Sequence, residues 1–146
     1  MLQTFTNDAV QINAAIHGIT NTLIGSLTAT DQKRILVTPH TSAMPDGAVL
    51  KIDDIVLTTE TADAIDTTNY WSFQVVDVTN TLNLLATAVS NYTGGTAIAA
   101  DTPYRITPDQ NNELGTSTVI ELSVTKAASA TELVECSIDI HWHWEV

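Results

Sequence analysis

From Val134 to Val146, apolar and polar residues alternate almost without error. Val134, Cys136, Ile138, Ile140, Trp142, Trp144 and Val146 fall on one side, and Glu135, Ser137, Asp139, His141, His143 and Glu145 on the other. A period of two is the signature of a strand with one buried and one wet face. Two Trp residues so near the chain end imply an anchored segment, because fraying would expose their large apolar surfaces. Trp142 and Trp144 are therefore expected either to close the core or to bury against another subunit.

The same alternation recurs upstream. Trp71, Phe73 and Val75 alternate with Ser72 and Gln74, and Ile120, Leu122 and Val124 form the inner row of a strand over 118–126. Arg34 to Thr38 reads as a short strand stopped by Pro39, and Pro45-Asp46-Gly47 as a turn. Ala48 to Thr59 is a long strand whose alternation slips at Asp53-Asp54, where a β-bulge would keep both flanks facing the core. Leu82 to Val89 is a further strand candidate. Thr96 to Thr107 is extended but carries Pro103, which confines it to an edge or an irregular stretch.

Residues 1–30 follow another rhythm. Ile12, Ile16, Ile19, Leu23 and Leu27 recur at steps of four, three, four and four behind a possible cap at Asn7 or Asp8, which is the helical period. Gly18 and Gly25 weaken a helix, and Val10, Ile12, Ala14 and Ile16 fit a strand as well. The segment is expected to be an arm or short helix that docks on a partner. Phe5, Ile12, Ile16, Ile19 and Leu23 are its candidate contact residues.

Seven or eight strands separated by turns, with no helix between them, predict an all-β fold: an antiparallel sandwich of jelly-roll or Greek-key type over residues 31–146. Composition agrees, being rich in Thr, Val and Ile and poor in Lys and Arg. The formal net charge of −12 excludes nucleic acid as an expected partner, since its phosphates require basic residues, and disfavours anionic membranes. The start of the chain lacks the pattern of a secretory signal, and no apolar run approaches a membrane span, so synthesis in a reducing cytoplasm is expected. The lone Cys136 is expected to be a small core residue, and the sequon at Asn91 to be plain loop sequence.

Candidate chemistry is sparse. No phosphate loop, GxSxG elbow or HExxH helix is present, so no catalytic residue and no cofactor is assigned. His141 and His143 share one strand face and with Asp139 or Glu145 offer metal-ligand types, but two such imidazoles fall short of the ligand count of a zinc site, so no metal is assigned either. His17 and His40 are isolated in sequence and read as surface or interface residues. Tyr70, Tyr92 and Tyr104 flank loops where they could stack on sugars.

The block from Asp66 to Val124 carries a family resemblance. Asn69-Tyr70-Trp71-Ser72-Phe73-Gln74-Val75, Leu84-Leu85-Ala86, the stretch Gly95 to Tyr104, Thr107-Pro108-Asp109-Gln110-Asn111-Asn112 and Val119-Ile120-Glu121-Leu122 together resemble small β-sandwich virion proteins of tailed bacteriophages. Such proteins are similar to capsid decoration, or cement, proteins. The resemblance implies a non-enzymatic module on the capsid exterior of a virion, with the major capsid protein as partner and a homotrimer as its assembly. The alternative is a receptor- or carbohydrate-binding module of a phage head or tail fibre.

Overall fold

A computed structural model describes residues 17–36, 47–115 and 118–145. Among the described residues there are ten strands: β1 (His17–Leu27), β2 (Asp31–Leu36), β3 (Val49–Thr58), β4 (Trp71–Asp77), β5 (Leu82–Asn83), β6 (Val89–Ser90), β7 (Tyr104–Ile106), β8 (Glu113–Leu114), β9 (Ile120–Lys126) and β10 (Leu133–Glu145). They form two antiparallel sheets. One runs β1-β10-β3-β7, with β8 also on β3; the other runs β2-β9-β4-β5, with β6 also on β4. The pairs β5/β6 and β7/β8 each act as one interrupted strand along the far side of β4 or β3. Eight strands then remain, with the first beside the last, the second beside the second-last, and the third and fourth flanking those pairs. This is the order of a jelly roll, in which the chain crosses repeatedly between two facing sheets.

Alternation dictates what fills the space between the sheets. Trp71, Phe73 and Val75 of β4, Ile120, Leu122 and Val124 of β9, and Cys136, Ile138 and Ile140 of β10 are all buried in one core. Trp71 and Phe73 stack with ring centroids 6.5 Å apart. The core cysteine behaves as expected, and burial pushes its thiol pKa up.

The bulge expected at Asp53-Asp54 is present. His141 pairs with Asp54 and Trp142 with Ile52, leaving Asp53 as the extra residue, so Ile52 and Ile55 both face the core. A second irregularity lies where β1 meets β10, around Gly25 and Glu135, both with positive φ (68° and 51°). It lets Ile24 and Leu27 both turn inward. It also reverses the parity of β10, so Val134, expected on the apolar side, is exposed while Leu133 is buried.

Three expectations need correction. Over 17–27 the chain is a strand, not a helix, and is hydrogen-bonded along β10 from His17↔His143 to Leu27↔Leu133. A spacing of four between apolar residues satisfies both periods, and the β-branched residues between them favour the pleat. This stretch therefore belongs to the sandwich itself, while the part of the expected arm or short helix over 1–16 lies outside the described residues. Leu82 to Val89 is not continuous: Leu84 and Leu85 are both buried at a bend, where the Gln74 side chain bonds the Leu85 N–H and C=O. Tyr104 flanks a loop as expected, at the start of β7, but its ring is buried and so cannot stack on a sugar.

One end of the sandwich is closed by a dense polar network. Buried Asn91 accepts the Trp71 N–H (2.6 Å) and donates to Asp63 Oδ2 (2.7 Å) and the Ala64 carbonyl (2.9 Å). Asp63 Oδ1 accepts the Thr131 N–H, and Trp71 Nε1 donates to the Thr131 carbonyl. The sequon asparagine is thus a fully engaged structural residue. Nearby, Asp66 accepts the N–H groups of Thr68 and Asn69, which hold its carboxyl below the usual pKa.

Candidate interaction surface

The outward face of the first sheet is built in rows set by register. His17, His143 and Lys51 form one row, Ile19, His141 and Asp54 the next, then Asn21, Asp139 and Val56, then Leu23, Ser137 and Thr58. β1 and β2 are terminal strands of their sheets among the described residues. They are joined by only residues 28–30, so they occupy the same edge of the sandwich. That edge displays large apolar side chains: Ile19 is 64% exposed, Leu23 82% and Ile35, on β2, 59%.

Ile19 and Leu23 stand outward because their parity is that of His17 and Asn21. Their neighbours Gly18 and Thr20 point inward, where Gly18 leaves room for the indole of Trp142. A Cβ at Gly18 would lie 2.2 Å from that ring. Trp142 Nε1 donates to Thr20 Oγ1 (3.1 Å), and Trp142 packs on Trp144 at 5.7 Å. Both Trp residues are half-buried against the core from the inner side of β10. Of the candidate contact residues, then, Ile19 and Leu23 are surface residues and Trp142 and Trp144 are core-facing. Phe5, Ile12 and Ile16 lie outside the described residues.

Polar groups on this face are mostly paired across strands. Asn21 donates to Asp139 (2.7 Å), Arg105 pairs with Asp54, and Thr107 donates to Asp54 (3.0 Å). Lys51 binds Glu145 and, at 3.2 Å, Glu113. The two carboxylates raise its pKa, and the ammonium lowers that of Glu145. His143 Nδ1 lies 2.7 Å from Asp53 Oδ1, and His17 Nδ1 3.8 Å from Asp53 Oδ2.

The grouping of His141 and His143 with Asp139 or Glu145 is therefore not what the fold assembles. Asp139 and Glu145 are engaged elsewhere, and His143 is instead brought to Asp53 and His17. Reasoning along the sequence missed His17 because it lies 126 positions away; only pairing of the first strand with the last places it there.

The aromatic candidates also separate. Tyr92 is exposed and meets Tyr70 edge-on at 5.0 Å, whereas the Tyr104 hydroxyl is buried without a hydrogen-bond partner among the described residues. An open depression of about 420 Å³ lies at the His17 end of β1, bordered by Gly18, Ile19, Asp54, Arg105 and His141.

The sequence matches no protein-family model and no curated protein sequence. A structural likeness is found to a chain in the structure of infectious bursal disease virus, Gx strain, with 12% identity and a TM-score of 0.33. It covers 88% of this chain and 31% of that one, so this chain spans about a third of that neighbour's length.

Proposed function

We propose that this chain is a non-enzymatic virion structural protein that decorates the outer surface of a tailed-phage capsid and stabilises the shell. The observation that carries the reading is the jelly-roll strand order, an architecture used by viral capsid domains, joined to the sequence resemblance over Asp66 to Val124. The exposed apolar residues of the β1/β2 edge supply the surface such a protein must bury on the major capsid protein or on sister copies in a trimer. Stabilisation then requires tighter binding to the mature lattice than to its precursor, because equal affinity for both shifts nothing.

The test is the number of copies per coat subunit in purified source particles, by quantitative mass spectrometry. A ratio near one, or a large simple fraction, is expected. Absence from particles would overturn the virion reading, and a handful of copies would move the chain to a vertex or tail.

A second reading, a glycan-binding module of a head or tail fibre, draws on one observation, the exposed Tyr92 ring braced by Tyr70. It predicts saturable binding on a glycan array that is lost in Tyr92→Ala. Tyr104, being buried, has no part in it.

A further inference from the structure

We propose that His17, Asp53 and His143 form a binding site for one divalent transition-metal ion, with zinc the favoured occupant. The three residues come from the three adjacent strands β1, β3 and β10, and one potential ligand atom from each lies within 4.8 Å of the others. Both imidazoles turn Nδ1 toward the same carboxylate, and their ring centroids are 5.1 Å apart. Two imidazoles and a carboxylate are a ligand set that zinc accepts, with metal–ligand distances of about 2.0–2.2 Å.

Around a tetrahedral ion such distances separate the ligand atoms by roughly 3.4 Å. The separations here, 2.7 Å from His143 Nδ1 to Asp53 Oδ1, 3.8 Å from His17 Nδ1 to Asp53 Oδ2, and 4.8 Å at most within a set of one ligand atom per residue, lie on either side of that value and come to it by rotation of side chains at the sheet surface. The β-bulge supplies the geometry. By inserting Asp53 as an extra residue it puts two successive acids on the outer face, Asp54 toward Arg105 and Thr107 and Asp53 toward the histidines. Re-aiming a side chain in this way is a recurring use of bulges.

The consequence is mechanical. A metal held here staples β1 to its neighbour β10 and, across β10, to β3, at the His17 end of β1. The remaining coordination position faces outward, open to water or to a donor from another molecule.

The test uses the full-length protein with zinc chloride alone in a non-chelating buffer. Isothermal titration should give one ion per chain, cobalt substitution should give the intense visible bands of a tetrahedral site, and saturating zinc should raise Tm by about 5 °C or more. Asp53→Asn and His17→Gln change exposed side chains and leave the core intact, so circular dichroism should match the parent. Each should weaken zinc at least about tenfold. His141→Ala, on the same face but in the Asp54 row, should bind within about twofold of the parent. Failure of the folded parent to bind zinc overturns the site. So does binding that persists unchanged in Asp53→Asn and His17→Gln, or that is abolished by His141→Ala.

Discussion

Strands β4 and β1 both alternate between two faces and do opposite work. β4 lies inside its sheet, buries every alternate side chain completely, and has the N–H of Trp71 satisfied by Asn91 at the closed end. β1 ends the other sheet among the described residues and turns Ile19 and Leu23 to solvent, while the inward positions of its first half are small or polar, Gly18, Thr20 and Thr22, and only Ile24 and Leu27 at its far end enter the core. The contrast separates a region that holds the fold from one whose apolar surface the fold does not use. Burial of a Leu or Ile side chain is worth about 1.5–3 kcal/mol, so surface of that kind left out of the core is available for a partner.

The comparison breaks most sharply at β4. Trp71→Ala is expected to lose about 3–5 kcal/mol, read from urea denaturation, because a fully buried indole and its bond to Thr131 disappear together. Asn91→Ala should cost about 2–3 kcal/mol by the same measurement, since it strands the Trp71 N–H and one oxygen of Asp63. A loss below about 0.5 kcal/mol in either would mean that this end does not carry the stability assigned to it.

Tyr104→Phe should leave stability unchanged or raise it by about 1 kcal/mol, as it removes a buried hydroxyl that has no hydrogen-bond partner among the described residues. Burial raises the Tyr104 pKa from 10.0 to about 12. A phenol whose folded pKa is raised contributes in full below its unfolded value and loses that contribution as pH climbs toward the folded one. The parent should therefore lose stability between those two values, and Tyr104→Phe should lose less, in melts taken across the alkaline range.

Asp66 works in the opposite sense. Its folded pKa is lowered from 3.8 by the Asn69 and Thr68 N–H groups, so its stabilisation is complete above that value and drains as pH falls through the lower folded one. The melting difference between parent and Asp66→Asn should accordingly shrink in acid. The smallest stability effect belongs to β1: Ile19→Ser with Leu23→Ser should stay within about 0.5 kcal/mol of the parent for each exposed site.

Much of the architecture is legible in the sequence. The rows Trp71-Phe73-Val75, Ile120-Leu122-Val124 and Cys136-Ile138-Ile140 read directly as inward faces, and the paired acids at Asp53-Asp54 announced a bulge. What failed did so for identifiable reasons. Ile19, Leu23 and Leu27 stand four apart, a spacing shared by the helix and by one face of a strand, so periodicity alone does not separate the two, and the irregularity around Gly25 then turns Leu27 inward. Leu84 and Leu85 are buried side by side at a bend, which neither period describes. Val134 broke the pattern of its strand through a positive φ at Glu135, a non-glycine position with no local signal. The triad of His17, Asp53 and His143 depends on which strands are neighbours, and that is a property of topology rather than of any stretch of sequence.

The most direct test of the central claim is binding of the Ile19→Ser, Leu23→Ser double variant to capsid shells lacking this protein, measured by co-sedimentation beside the parent. The account predicts an unchanged far-UV spectrum and Tm with binding reduced at least about tenfold, equivalent to roughly 1.4 kcal/mol. A folded variant that saturates shells as the parent does would show that the β1 edge is not the docking surface.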